Sequence, residues 1–172
     1  MIPIAVFSGD EFVFQLEKNL KRFFTVSVIT QTTVRWQSSD DLGLIGCRNK
    51  TECTVKNGFI VIAENMPEKC RCFTLLTDSA ESLPEVLENT QCLICGMNSR
   101  DAVSFSSLSD TEASVCFLRE ITDIAGNRRE PFELVMKSQS RMDRYAPFYL
   151  LCLASLLVLC GREGLPDPIL IE

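Results

Sequence analysis

Residues 3–24 read PIAVFSGDEFVFQLEKNLKRFF, and the reading of this stretch decides the fold. Pro3 to Phe7 is an apolar run suited to a buried strand. Ser8-Gly9-Asp10-Glu11 follows with the spacing of a capping box, in which Ser8 caps a helix and Glu11 reaches back to it. Phe12, Leu16, Leu20 and Phe23 then recur at helical spacing, which predicts an amphipathic helix over 10–24. Glu17 and Lys21 stand four apart and pair on its outer face. The β-branched run Thr25 to Thr30 reads as the next strand.

Working outward, Thr33 to Trp36 extends the sheet and Ser38 to Asp41 is loop, while 31–51 as a whole carries the weakest pattern. Residues 52–56 and 59–64 flank Asn57-Gly58, a pair suited to a two-residue turn because both turn positions need positive φ, so an antiparallel hairpin is expected there. Cys72 to Thr77 is a further strand, and Ser82-Leu83-Pro84-Glu85 starts a short helix over 82–90. Cys92 to Gly96, apolar throughout, suits a central parallel strand. Residues 102–108, 114–121 and 130–136 read as three strands joined by turns, one of them Ala125-Gly126-Asn127. Asp143 to Cys160 is the last helix, stopped by Gly161, with Leu150, Leu153, Leu157 and Val158 facing the sheet. The expected architecture is a single α/β domain over 1–172. Its mixed sheet has a parallel part and antiparallel hairpins, is packed by about three helices, and leaves 163–172 as a loose extended tail.

Composition narrows the function. The 172 residues carry 17 basic and 23 acidic side chains, a net charge of −6, and no dense Lys/Arg cluster, so nucleic acid is not an expected partner. There is no histidine, which removes the commonest general base and metal ligand and any Ser-His or Cys-His couple. Nine cysteines, odd in number and set mostly in apolar runs, read as small buried side chains in a reducing cytoplasm. The start, Met1 to Val6, runs into a strand with no basic leader, and Asn49-Lys50-Thr51 is then an idle glycosylation pattern. The 17 uncharged residues from 145 to 161 would span about 25 Å as a helix, short of the ~30 Å hydrocarbon core, and so read as a core helix rather than an anchor.

The motifs are sparse. Ser8-Gly9-Asp10 sits where phosphate loops sit but lacks their glycines and their Gly-Lys-Ser/Thr, and Asp10 and Glu11 put negative charge where an anion would bind. Cys70, Cys72, Cys92 and Cys95 invite comparison with a four-thiolate zinc site. In a strand, however, Cys92 and Cys95 point to opposite faces, so no metal is expected. Asp10-Glu11, Glu64 and Thr77 fall in places comparable to the acidic pocket of response-regulator receiver domains, with Glu in place of the phosphoacceptor Asp and no Lys after the CLICG strand.

Residues 72–107, CFTLLTDSAESLPEVLENTQCLICGMNSRDAVSFSSL without the final Leu, resemble the later part of the central domain of Mur-type ligases, where one strand ends in a short polar motif and the next leads to a glycine. With the following LREITDIAGNRREPFEL, the stretch to about residue 140 is similar to small clostridial (Firmicutes) proteins of unassigned function. The ligase resemblance implies an ancestral nucleotide-binding fold, but the Gly-Lys-Thr/Ser loop is missing, so neither ATP nor ligase activity carries over and no cofactor is expected. Two functions stand: a non-catalytic interaction or regulatory module, whose partner is another protein or a second copy, and a small-ligand-binding protein or minor enzyme. For the second, the candidate residues are Thr77, Asp78 and Ser79 with Asn98, Ser99, Arg100 and Asp101, because open α/β sheets bind ligands beyond the carboxyl ends of their strands.

Overall fold

The computed structural model describes residues 1–47, 53–54, 60–67, 70–78, 89–138, 141–161 and 164–172. The fold is α/β, with parallel and antiparallel strand pairs, and the chain forms two compact units, Met1–Cys92 and Leu93–Glu172.

The first unit is built on parallel strands. β1 (Ile2–Phe7), β2 (Val26–Ile29), β4 (Leu42–Gly46), β6 (Ile60–Ala63) and β8 (Thr74–Asp78) lie in the order β8-β6-β1-β4-β2, with β3 (Val34–Arg35) antiparallel on the β2 edge. Register partners share a face, so Ile4 and Val6 line up with Leu44 and Gly46 on one side and with Ile60 and Ile62 on the other. The helix α1 (Asp10–Leu20) covers that face, and its Val13, Leu16 and Leu20 are buried. The opposite face carries Ala5, Phe7, Val61, Ala63 and Leu75 under Met66, Cys70 and Cys72. Strands apolar on both faces are what a covered parallel sheet requires.

Four features of this unit depart from expectation. The helix is capped by Gly9, and no side chain caps it; the Ser8 hydroxyl donates to Glu64 instead, so the capping box does not form. Glu17 is buried rather than on an outer face, and its carboxylate holds Lys21 at 2.8 Å and Arg35 at 2.5 Å. β4 is a central strand inside the weakly patterned 31–51 segment. Lastly, the runs expected to pair antiparallel around Asn57-Gly58 do not pair with each other where they are described: β6 has β1 and β8 as parallel neighbours, and β5 (Cys53–Thr54) pairs in parallel with β7 (Cys70–Arg71). Both edges of Ile60–Ala63 are taken by these parallel neighbours. The turn itself lies outside the described residues, as does the helix expected over 82–90 apart from Asn89 and Thr90.

In the second unit β10 (Val103–Leu108), β11 (Glu112–Phe117) and β14 (Phe132–Ser138) form an antiparallel meander, as their turn-bounded patterns predict. β9 (Gln91–Cys95), whose first two residues fall in the first unit, meets β10 in parallel at Cys95 and Val103. β12 (Ile121–Thr122) and β13 (Arg128–Arg129) make a small hairpin around Gly126, which takes φ +87°. After a short 3-10 turn at Met142–Arg144 comes α2 (Pro147–Leu159), with proline in its first turn and every side chain from Phe148 to Leu159 buried. Gly161, at φ +70°, ends it. Among the described residues there are thus two α-helices, and neither is long and apolar enough to cross a membrane. The tail is extended but not loose: β15 (Ile169–Ile171) pairs in parallel with β14 and buries Ile169 and Ile171.

Candidate functional site

The carboxyl edge of the first unit's parallel strands is where a doubly wound sheet offers a site. The strand order brings the ends of β4, β1, β6 and β8 side by side. Backbone bonds tie that edge together: Cys47 N–H donates to Val6 O at 2.8 Å, while Glu64 and Asn65 N–H both donate to Phe7 O at 3.2 Å. The side chains here are Ser8 after β1, Asp10 and Glu11 in the first turn of α1, Glu64 after β6, and Thr77 and Asp78 closing β8.

Ser8 is buried, and its hydroxyl donates to the half-buried Glu64 carboxylate. A carboxylate is a weak base for a serine hydroxyl, and burial keeps that hydroxyl from a substrate. The pair therefore works as a clasp between β1 and β6 rather than as a nucleophile and its base. The N-terminus of α1 is occupied electrostatically by Asp10 and Glu11, so its dipole is satisfied from within and a phosphate would meet like charge.

The residues singled out for a ligand fall in two places. Thr77 is fully buried in β8, with its Oγ1 donating to Asp78 O at 3.5 Å, and Asp78 is half-buried at the strand end. Ser79 lies outside the described residues. Asn98, Ser99, Arg100 and Asp101 belong to the second unit, where they form the turn between β9 and β10. That turn closes on itself: Asn98 N–H donates to Asp101 Oδ2 at 2.8 Å, and Asp101 N–H returns to Asn98 O at 3.1 Å. Asp101 is buried by this role, whereas Ser99 and Arg100 are exposed, and the Arg119 guanidinium donates to Arg100 O at 3.0 Å. The Asp101 carboxylate and the Asn98 backbone are engaged by turn chemistry.

The second unit holds a buried carboxylate that sequence reasoning missed. Asp123 Oδ1 accepts the backbone N–H of Ala125 and of Asn127, each at 2.9 Å, and Oδ2 accepts Asn127 Nδ2 at 3.1 Å with Arg129 at 3.9 Å. Burial pushes the Asp123 carboxyl up. The Asn127 side chain, the two backbone donors and the Arg129 charge pull it down further, and the net position is below the ordinary value. The signal was present in Asp123-Ile124-Ala125-Gly126-Asn127, an Asp four residues before an Asn across a glycine turn.

Among the described residues no group of three or more Cys, Asp or Glu could hold a metal ion. Cys70 and Cys72 are buried with their sulfurs 3.6 Å apart, and Cys47 and Cys92 pack against the same cluster. Burial pushes the Cys160 thiol up to about 12, so it stays protonated at neutral pH. Neither a family model nor a curated protein matches the chain.

Proposed function

We propose that this chain is a non-catalytic intracellular interaction or regulatory module, descended from a nucleotide-binding fold and acting through another protein or a second copy of itself. The observation that carries the reading is the carboxyl edge of the parallel strands, where the Ser8–Glu64 clasp and the Asp10-Glu11 helix start stand in the place of a phosphate cradle. The Mur-ligase likeness of 72–107 supports descent, and its missing phosphate loop supports loss of the ancestral activity. The receiver comparison supports it less. Placing β4 between β1 and β2 departs from the 2-1-3-4-5 order of flavodoxin-like folds, although Glu64 and Thr77 do end neighbouring strands.

Titration calorimetry against magnesium nucleotides, dinucleotides and acetyl phosphate tests this reading. No heat of binding is expected. A low-micromolar dissociation constant that Glu64→Gln or Asp78→Asn weakens would replace it with the small-ligand function at the strand ends.

A further inference from the structure

Residues two apart in an extended strand point to the same side, and Cys70-Arg71-Cys72 puts two thiols on one side of β7 and its continuation. Their sulfurs stand 3.6 Å apart, at van der Waals contact, inside the apolar cluster of Ala5, Phe7, Val61, Ala63, Met66 and Leu75. Thr90 Oγ1 donates to Cys72 O at 2.8 Å, and Gln91 N–H donates to the next carbonyl, Phe73 O, at 2.9 Å, so Cys72 is anchored. Cys70 is held by the two-residue pairing of β7 with β5, in which Cys53 and Cys70 are register partners.

We propose that Cys70 and Cys72 are an oxidisable dithiol, a modification site whose reagent class is a hydroperoxide. Cys72 is the more exposed of the two, 7% against 0%, and is attacked first. Its thiolate attacks one peroxide oxygen, the O–O bond breaks, and hydroxide or alkoxide leaves with a sulfenic acid formed on Cys72. The Cys70 thiolate then attacks the Cys72 sulfur, the S–O bond breaks, and the departing hydroxide takes up a proton as water. Two thiols and one hydroperoxide give one disulfide, one water and one alcohol (or a second water), with two electrons passing from sulfur to oxygen.

Two residues of extended chain place Cα atoms about 6.6 Å apart at ~3.3 Å per residue, near the upper end of the roughly 4.4–6.8 Å that disulfides span, so closing the bond draws the chain in at Arg71. Cys70 is a register partner in the β5–β7 pair, so oxidation would loosen that pair.

The test uses the full chain, reduced and then treated with stoichiometric hydrogen peroxide. Alkylation should find two fewer free thiols than the nine of the sequence. Arg71 separates the two cysteines in a tryptic digest, and Lys69 precedes Cys70, so the disulfide appears as a Cys70-Arg71 dipeptide linked to the peptide that begins at Cys72. Hydrogen exchange at 53–54 and 70–71 should quicken on oxidation and recover with dithiothreitol. Cys70→Ser should leave a dimedone-reactive sulfenic acid on Cys72. The proposal is overturned if both thiols stay alkylatable while others oxidise, if Cys72 links to Cys47 or Cys92, or if Cys70→Ser yields no dimedone adduct.

Discussion

At the scale of single residues, the informative positions are those where a polar side chain is buried with its partners. Asp123 organises the β12–β13 hairpin by accepting three hydrogen bonds and facing Arg129. Its carboxyl titrates below the ordinary 3.8 in the folded chain. The stabilisation it provides is therefore complete above the unfolded pKa and lost as pH falls through the folded one. Asp123→Ala strands two backbone donors and an amide, and should cost about 1–3 kcal/mol at neutral pH. In urea titrations the gap between wild type and variant should be constant from pH 5 to 7, by about one unit of margin above the carboxylate range. It should then narrow below the unfolded value near 3.8. A gap that widens in acid would mean the carboxylate is not the species that holds the turn. Ser8 makes the complementary point: its place in the sequence matches a helix cap, yet its hydroxyl serves Glu64 because β6 lies beside β1.

At the scale of elements, β4 and α2 show what pattern reading catches and what it misses. The sequence Leu42-Gly43-Leu44-Ile45-Gly46 lacks the β-branched density of a strand and has two glycines, so its central position was not legible. The reason for one glycine is steric. A Cβ at position 43 would lie 2.9 Å from Met1 Sδ and 2.9 Å from the Trp36 ring, which packs on the face opposite α1. Gly43→Val should therefore push aside the partly exposed Met1 and Trp36 side chains, at a cost below about 1 kcal/mol. Because Trp36 is the only tryptophan, its emission should shift to the red as the ring is displaced, and unchanged emission with unchanged melting would refute the contact. α2 is the opposite case. A run apolar on all sides can only be buried in protein or lipid, and the twelve residues from Phe148 to Leu159 are enclosed by the fold. Ser155, one of its two hydroxyl side chains, donates to Leu151 O at 2.8 Å and so meets its hydrogen-bonding need within the helix. Leu153→Ala should cost about 2–5 kcal/mol as a buried large-to-small change, measured by denaturant unfolding. A cost below ~1 kcal/mol would show that the site collapses or is not core.

At the scale of the whole molecule, the segment from Gly164 to Glu172 matters most for what the chain can lose. Its composition reads as a tail, with Pro166 and Pro168 and a charged end. The alternation at Ile169, Leu170 and Ile171 is the signature that outweighs it, since the isoleucines are buried and the leucine is 44% exposed. Truncation after Leu165 should remove about 3–6 kcal/mol, from ~1.5–3 kcal/mol for each isoleucine, and leave the outer edge of β14 open. The check is the urea midpoint of the truncated chain together with its tendency to aggregate, since an uncovered strand edge invites pairing with a second chain. A truncated chain with the midpoint of the full one would return the segment to the status of a tail.

Local pattern by itself determined β1, α1, β2, the β10–β11–β14 meander and α2, because in each a period of two, a helical stripe or an unbroken apolar run leaves one way to bury the surface. It also determined the absence of histidine chemistry and of a phosphate loop, since both depend on residues that are not in the chain. Only the tertiary structure decided which strands are neighbours, and with that the rest. β6 found two parallel partners, the buried Glu17 met Arg35, and Ser8 turned from the helix to Glu64. In the turn at Asn98–Asp101 the Asp101 carboxylate was spent on the Asn98 backbone. The physical reason is common to all of these: a polar side chain or a strand edge has several partners of similar local merit, and the choice among them is made by whatever long-range packing places within about 3 Å.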